Sequence, residues 1–235
     1  MTPLKHASLA VVVMIAVAGL ASTARAGGAV NVDNVQLPYY EDVDLVGNID
    51  GSAYSDLNQM AGMISLTVNN VGSSTQYVLP VWCVDIFHEI VLGSSGFQFS
   101  EGALSTDNSL NPSPLSPTQI AEILDLATYG NKLMQTAPTN HTSALVQAAI
   151  WTVEYNNGKG NTLTVTDVGG GGDINATAIS AMINSAILNG GTGGQLISLA
   201  GEQQQVFDGP LPEPASLALL GVGLFGIGAA RRRKR

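Results

Sequence analysis

The chain has 235 residues, a formal net charge of −9 and only 11% charged residues. Seven of its nine basic residues lie in the two ends, so the segment 27–214 keeps two lysines against eighteen acidic residues, a formal charge of about −16. Because phosphate groups are bound by clustered Lys and Arg, this charge excludes nucleic-acid binding and makes the surface of this segment repel anionic membranes. The length of the segment suits one domain with its own core.

The N-terminus has the three parts of a Sec-type signal peptide. Lys5 gives a basic start, an apolar run begins at Leu9, and Ala24-Arg25-Ala26 forms a cleavage site with small residues, Ala24 and Ala26, at its two critical positions. The apolar run is too short to span a membrane. Residues 1–26 are therefore predicted to be removed by signal peptidase, and the protein is predicted to be exported.

The segment from Val30 to about Phe99 has the pattern of β-structure. Residues 64–70 alternate apolar and polar side chains, as a half-buried strand does. Residues 77–92 are nearly all apolar, which indicates one strand covered on both faces. Residues 93–117 are rich in Ser, Gly, Asn and Pro and predict a loop.

Three helices are predicted after this loop. The first covers residues 119–130 and ends at Gly130, and the second covers residues 143–158 after a capping triplet that begins at Asn140. The third follows a glycine-rich stretch, with Asn175 as its candidate cap.

Two short β-like runs, at 195–200 and 204–207, close the domain. Strands that come first and helices that come later favour an α+β fold. For residues 27–208 we therefore expect an N-terminal sheet, sandwich or barrel-like region packed against a helical segment.

The C-terminal segment, residues 209–235, divides into three parts. Pro212-Glu213-Pro214 comes first, an uncharged stretch runs from Ala215 to Ala230, and five basic residues end the chain. Sixteen helical residues rise about 24 Å, enough for a short transmembrane helix with its basic end in the cytoplasm.

This three-part tail resembles the PEP-CTERM sorting signal, in which Pro212, Glu213 and Pro214 form the sorting and cleavage motif. The resemblance implies that an exosortase cuts near the motif and releases a transiently anchored protein to the cell surface or extracellular matrix. A C-terminal anchor that is never cut is the alternative.

Cys83 is the only cysteine of the chain, so an intramolecular disulfide is excluded. Residues two apart in a strand share a face, and this spacing places Cys83 with Val81 and Asp85 and turns Trp82 to the other face. A lone thiol on a predicted core strand of an exported protein needs an explanation.

The second predicted helix carries a lone amide in a similar setting. Gln147 shares a stripe with Ile150, Trp151 and Glu154, at spacings of three, four and seven residues. This helix is apolar nearly all round, which predicts burial, and a buried glutamine needs hydrogen-bond partners.

The two segments together resemble the bacterial thioester domains of surface adhesins. In these domains an aromatic-Cys-x-Asp sequence is followed by Thr-Gln-x-Ala-Ile-Trp, and this chain has Trp82-Cys83-Val84-Asp85 and Val146-Gln147-Ala148-Ala149-Ile150-Trp151. The resemblance spans roughly Leu66 to Asn157. Val146 departs from it, because the adhesins usually have threonine there.

The resemblance implies an internal thioester between Cys83 and Gln147 that acylates a target amine. It also implies that aromatic and aliphatic neighbours shield the bond from water, and that Asp85 helps set the geometry without a catalytic role. The neighbours expected around the bond are Trp82, Asp85, Ile150 and Trp151.

Other interpretations of Cys83 stay open. A buried free cysteine often acts as a small apolar side chain, with Gln147 bonded to backbone groups. An odd cysteine in an exported protein can also form an intermolecular disulfide. A hydrolase pair with His88 or His141 has no local signature to support it, and no catalytic residue is assigned.

No metal site and no cofactor are predicted. The acidic residues Asp42, Asp44 and Asp50 do not have the spacing of an EF-hand loop, and one cysteine with three histidines gives no zinc spacing.

The sequence thus predicts a non-enzymatic, exported surface or matrix protein that mediates attachment, covalently if the thioester forms. The alternative is a structural matrix or biofilm protein in which Cys83 and Gln147 only pack the core. The expected partners are signal peptidase, exosortase, the membrane before processing, and a surface amine or polysaccharide-associated target, with no nucleic acid.

Overall fold

The structure, a computed structural model, describes residues 29–87, 90–102, 115–156, 160–169, 172–191, 194–198 and 205–208. The predicted signal peptide and the predicted sorting segment lie outside these residues. Within the described part of the chain, no helix combines the length and apolar character needed to cross a membrane.

The described residues form seven strands and three helices, in an α+β arrangement that confirms the predicted class. The strands are β1 (Ala29–Ile49), β2 (Ser52–Asn70), β3 (Gln76–Cys83), β4 (Phe97–Gly102), β5 (Thr162–Asp167), β6 (Gly194–Ser198) and β7 (Gln205–Asp208). The helices are α1 (Pro117–Thr136) and α2 (Asn140–Tyr155), which precede β5, and α3 (Ala176–Asn189), which follows it.

The strand pairings close into an antiparallel ring. The order is β2-β3-β7-β6-β4-β1-β5, and β1 also pairs with β2. Val30 of β1 shows the closure, because it pairs with Asn70 of β2 and with Phe99 of β4. The sequence predicted a sheet, a sandwich or a barrel-like region, and the closed ring corresponds to the barrel-like form.

The far halves of β1 and β2 leave the ring and form a three-stranded extension with β5. Asp50 and Gly51 join β1 to β2, with φ angles of 54° and 75°, as a two-residue hairpin turn of type I′ requires. Asp50, considered above as a calcium ligand, is thus a turn residue, and its backbone N–H donates to Asn161 Oδ1 at 2.8 Å.

Helix α2 lies at the centre of the fold, in contact with β1, β2, α1 and α3. It is buried nearly all round, as its apolar sequence predicts. Thr139, one residue before the predicted triplet, is its N-cap and accepts from the backbone N–H of Thr142. Asn175 caps α3 as predicted and accepts from two backbone N–H groups.

The first helix does not end at Gly130, as the sequence had suggested, but continues to Thr136. A Cβ atom at Gly130 would lie 2.7 Å from Val146 Cγ1 and 2.8 Å from Trp82 Cζ2. The glycine therefore allows α1 to approach α2 and β3 closely, and it does not terminate the helix.

Three further differences concern strands. The predicted strand over residues 77–92 ends at Cys83, β4 lies inside the predicted loop, and β5 is an additional strand. Both β4 and β5 have six residues and owe their conformation to pairing with β1, which is distant in sequence. Pairing of this kind leaves little trace in a local pattern.

Candidate thioester site

The last residue of β3 and the middle of α2 meet through a pair of hydrogen bonds. The backbone N–H of Cys83 donates to Gln147 Oε1 at 3.0 Å, and Gln147 Nε2 donates to the carbonyl oxygen of Cys83 at 2.7 Å. The side-chain amide thus bonds both backbone groups of one residue, as a neighbouring strand would. Cys83 and Gln147 are 3% and 1% exposed, so the structure brings both residues together in the core.

The position of this contact follows from the end of the sheet. Trp82 and Cys83 pair with Val206 and Gln205 of β7 on one side, whereas the pairing of β3 with β2 ends at Val81. The chain leaves the sheet after Cys83, and Gln147 supplies hydrogen bonds to the last strand residue. Its carboxamide therefore lies against the backbone of the residue that carries the thiol.

The Cys83 sulfur is held by the backbone of Asp85. The thiol donates to the Asp85 carbonyl oxygen at 2.9 Å, and the Asp85 N–H lies 3.4 Å from the sulfur. The Asp85 carboxylate accepts from the Phe87 N–H at 2.8 Å and so stabilises the turn after β3. Asp85 is buried, but it is not on the strand face predicted for it, because the strand has already ended.

Burial raises the pKa of the Cys83 thiol well above its usual value. The Asp85 backbone and the Trp151 indole N–H act in the opposite direction, and the nearby Glu154 and Asp85 side chains raise the pKa further. The thiol is therefore protonated at neutral pH, and it needs local help to react as a thiolate.

A cavity of about 270 Å³ reaches this contact. Cys83, Gln147 and Trp151, all nearly buried, line its inner part. Met60 and Leu92 are about half exposed and lie at its rim. The other lining residues are Leu37, Asn58, Gln59, Gly62, Ile64 and Ile90, so no charged side chain of the described chain lines the cavity.

The remaining predicted neighbours occupy different places. Trp151 lines the cavity, whereas Trp82 faces α1 and donates its indole N–H to Asn131 Oδ1 at 3.0 Å. Ile150 is fully buried in the core and does not line the cavity. Val146, in the place of the usual threonine, packs towards Gly130 and also lies away from the cavity.

Sequence reasoning missed Gln205, which is fully buried and pairs directly with Cys83 across β3 and β7. Paired residues of antiparallel strands place their side chains on the same face. Gln205 is therefore a second glutamine beside Cys83. The one sequence signal for a buried Gln205 is its position directly before two apolar residues in a β-like run.

The other candidates do not join this site. His141 lies 3.4 Å from Glu41 Oε2, and His88 is outside the described residues. Asp44 accepts from the backbone N–H groups of Asn58 and Gly169. Among the residues described, no group of three or more His, Cys, Asp or Glu side chains is placed to hold a metal ion.

Tyr155 makes the stability of the site sensitive to high pH. Burial, followed by the Glu154 and Asp85 charges, raises its pKa well above the usual value, and its hydroxyl accepts from the Ile86 N–H at 3.4 Å. The unfolded chain loses this phenolic proton near pH 10 and the folded chain keeps it, so stability falls as the pH rises above about 10. In a protein that also carries Cys83→Ala, Tyr155→Phe should reduce the loss of unfolding free energy with rising pH by up to about 1.4 kcal/mol per pH unit. Urea unfolding at several pH values above about 10 measures this slope. Equal slopes with and without Tyr155 would contradict the assignment.

The comparisons with known proteins concern mainly the C-terminus. A family profile, the PEP-CTERM protein-sorting motif, matches residues 210–234. The chain carries a PEP-CTERM sorting motif. The motif confirms the resemblance drawn from Pro212-Glu213-Pro214 and marks the protein as exported, sorted to the surface and processed by exosortase.

A comparison with curated protein sequences finds no match. Among solved structures, the N-terminal domain of the Streptococcus pyogenes pilus tip adhesin Cpa is similar at 14% identity, over 77% of this chain and 100% of that domain, with a TM-score of 0.35. A TM-score this low does not establish a common fold.

Proposed function

We propose that this exported PEP-CTERM protein attaches covalently to a target amine through an internal thioester between Cys83 and Gln147. The observation that carries the proposal is the paired hydrogen bonding of the Gln147 carboxamide to the backbone of Cys83. This contact holds an electrophilic carbon next to the residue that carries the only thiol of the chain.

The hydrogen bonds suit thioester formation. The Cys83 N–H on Gln147 Oε1 polarises the carbonyl group and can stabilise the oxyanion that forms when sulfur attacks. The Cys83 carbonyl oxygen holds the amide nitrogen, which leaves as ammonia with the thiol proton. One C–N bond breaks, one C–S bond forms, and the product is an activated acyl group.

The cavity provides a route for the amine that would open the thioester in the second step. A primary amine that enters as the neutral base can attack the thioester carbon, form an amide bond with residue 147 and release the Cys83 thiol. Among the described residues, the lining has no charge that would stabilise an ammonium ion inside the cavity. Each molecule acylates once, so the protein is a single-use acyl donor and not an enzyme.

Sorting supplies the place where this chemistry would act. We propose that signal peptidase removes residues 1–26, that the C-terminal helix anchors the protein transiently, and that exosortase then releases it to the cell surface or extracellular matrix. The signal peptide, the sorting segment and the Cys83–Gln147 contact all fit one role. This role is attachment within a biofilm matrix, to an amine of a surface or polysaccharide-associated component.

A structural matrix protein is the second candidate. The same pair of hydrogen bonds satisfies the Gln147 amide and both backbone groups of Cys83, which is all that a packing role requires. In that case the raised pKa of Cys83 reflects an inert buried thiol.

Intact mass separates the two candidates. With the thioester, the mature protein should be lighter than its sequence by one ammonia, and methylamine should convert this deficit into an adduct on residue 147. Cys83→Ala and Gln147→Ala should each restore the full mass expected for their sequences. Gln205→Ala, the matched control for the neighbouring glutamine, should keep the deficit. A full mass in the wild type, with a thiol that alkylates in the folded state, would exclude covalent attachment.

A further inference from the structure

The indole N–H of Trp151 is a buried donor that is not used within the described structure. Trp151 is 4% exposed, and its Nε1 atom has no hydrogen-bond acceptor among the described residues. A buried N–H without an acceptor costs free energy, and a state of the site that provides an acceptor would recover that cost. By contrast, the other tryptophan, Trp82, donates to Asn131.

The position of Trp151 brings its indole into the cavity that the Cys83 thiol also lines. After Cys83 the chain runs alongside α2 in the same direction, because Cys83 contacts Gln147 and Ile86 contacts Tyr155. Trp151 lies between these two contacts, one helical turn after Gln147. It lines the same cavity as Cys83, and its N–H is close enough to lower the pKa of the thiol.

We propose that the Trp151 indole N–H is a catalytic donor to the Cys83 sulfur, which it stabilises whenever that sulfur carries negative charge. This inference rests on the proposed thioester and assigns a group that acts in both of its steps. In the protonated state the sulfur is engaged with the Asp85 backbone, and the indole N–H has no acceptor in the part of the chain that the structure describes.

Thioester formation and thioester opening both need stabilisation of negative charge on the Cys83 sulfur. During formation, the thiolate attacks the Gln147 carbon while the thiol proton passes to the departing ammonia. During opening, the amine takes the acyl group, Cys83 leaves as the thiolate, and the proton lost by the amine returns to it. The burial that raises the thiol pKa opposes both steps, and a donor aimed at sulfur offsets part of that effect.

Trp151→Phe tests the assignment, because it keeps an aromatic ring and removes the N–H. Methylamine opening of the thioester, followed by mass, should slow by about tenfold or more, as expected for the loss of a hydrogen bond to a charged atom. The thiol of the methylamine-opened protein should alkylate with a pH midpoint raised by about one unit or more. A purely steric change would alter the alkylation rate at all pH values alike and leave the midpoint in place.

Trp82→Phe is the matched control, since it removes an indole N–H whose acceptor is Asn131, and it should leave the midpoint unchanged. If Trp151→Phe does not fold, an isosteric analogue with sulfur in place of the indole N–H, inserted at position 151, replaces it. An unchanged midpoint in the variant overturns the role of Trp151. If the wild type shows full mass and no adduct, the proposed function fails, and the midpoint of the unmodified thiol decides separately whether the indole acts on the sulfur.

Discussion

Replacing Cys83 by alanine should lower the free energy of unfolding by about 4 kcal/mol if the thioester forms. The bond would join residues 64 positions apart in sequence, and a covalent closure of that length restricts the unfolded chain by about this amount. Urea unfolding of the mature protein, followed by tryptophan fluorescence, measures the difference. Methylamine treatment of the wild type opens the same loop and should lower its stability by a similar amount.

Gln147→Ala should destabilise the protein more than Cys83→Ala does. Both variants lose the cross-link, but only Gln147→Ala also leaves the buried N–H and C=O of Cys83 without partners. Each such group costs about 1–3 kcal/mol, so the gap between the variants should be about 2 kcal/mol or more. A Cys83→Ala cost near 1 kcal/mol, as for loss of a small packed side chain, would instead favour the structural role.

The meeting of Cys83 and Gln147 could be anticipated from the sequence because each residue is an isolated reactive or polar group in an apolar segment. A thiol in a buried strand and an amide on a buried helix have few possible hydrogen-bond partners other than each other and the backbone. That they form a thioester stays a prediction, since hydrogen bonding alone serves both interpretations.

The sequence could not predict the contacts that depend on distant pairing. Gln205 lies beside Cys83 because β7 inserts between β3 and β6, a pairing that spans more than a hundred residues. The unused N–H of Trp151 is likewise visible only when its surroundings are known. The apolar residues that follow Cys83 hide the end of β3 in the sequence, because Val84 is buried without lying in a strand, whereas Phe87, Val91 and Leu92 are apolar but exposed.

Gly130 shows how a local rule misleads when tertiary packing decides. A glycine in a helical pattern predicts an end, but here the helix needs it in order to approach Val146 and Trp82. The same approach positions both halves of the candidate site, because these two residues precede Gln147 and Cys83 in the chain.

Gly130→Ala should therefore destabilise the protein by about 2 kcal/mol, as overpacking of a core does. Helix propensity alone would give the opposite sign, since alanine is favoured over glycine by about 1 kcal/mol inside a helix. The new methyl group would lie 2.7 Å from Val146 and 2.8 Å from Trp82, whose ring is also held by its bond to Asn131. Urea unfolding measures the change, and Gly191→Ala is the matched control.

The control is informative because, among the described residues, the Cβ atom of Gly191→Ala would meet only Thr128, at an ordinary 3.6 Å. Its effect should stay within about 0.5 kcal/mol. Because Val146 and Trp82 are joined directly to the two reacting residues, Gly130→Ala should also reduce the fraction of protein that shows the ammonia mass deficit. A neutral or stabilising effect of Gly130→Ala would show that the close packing of α1 is not needed to hold Cys83 and Gln147 together.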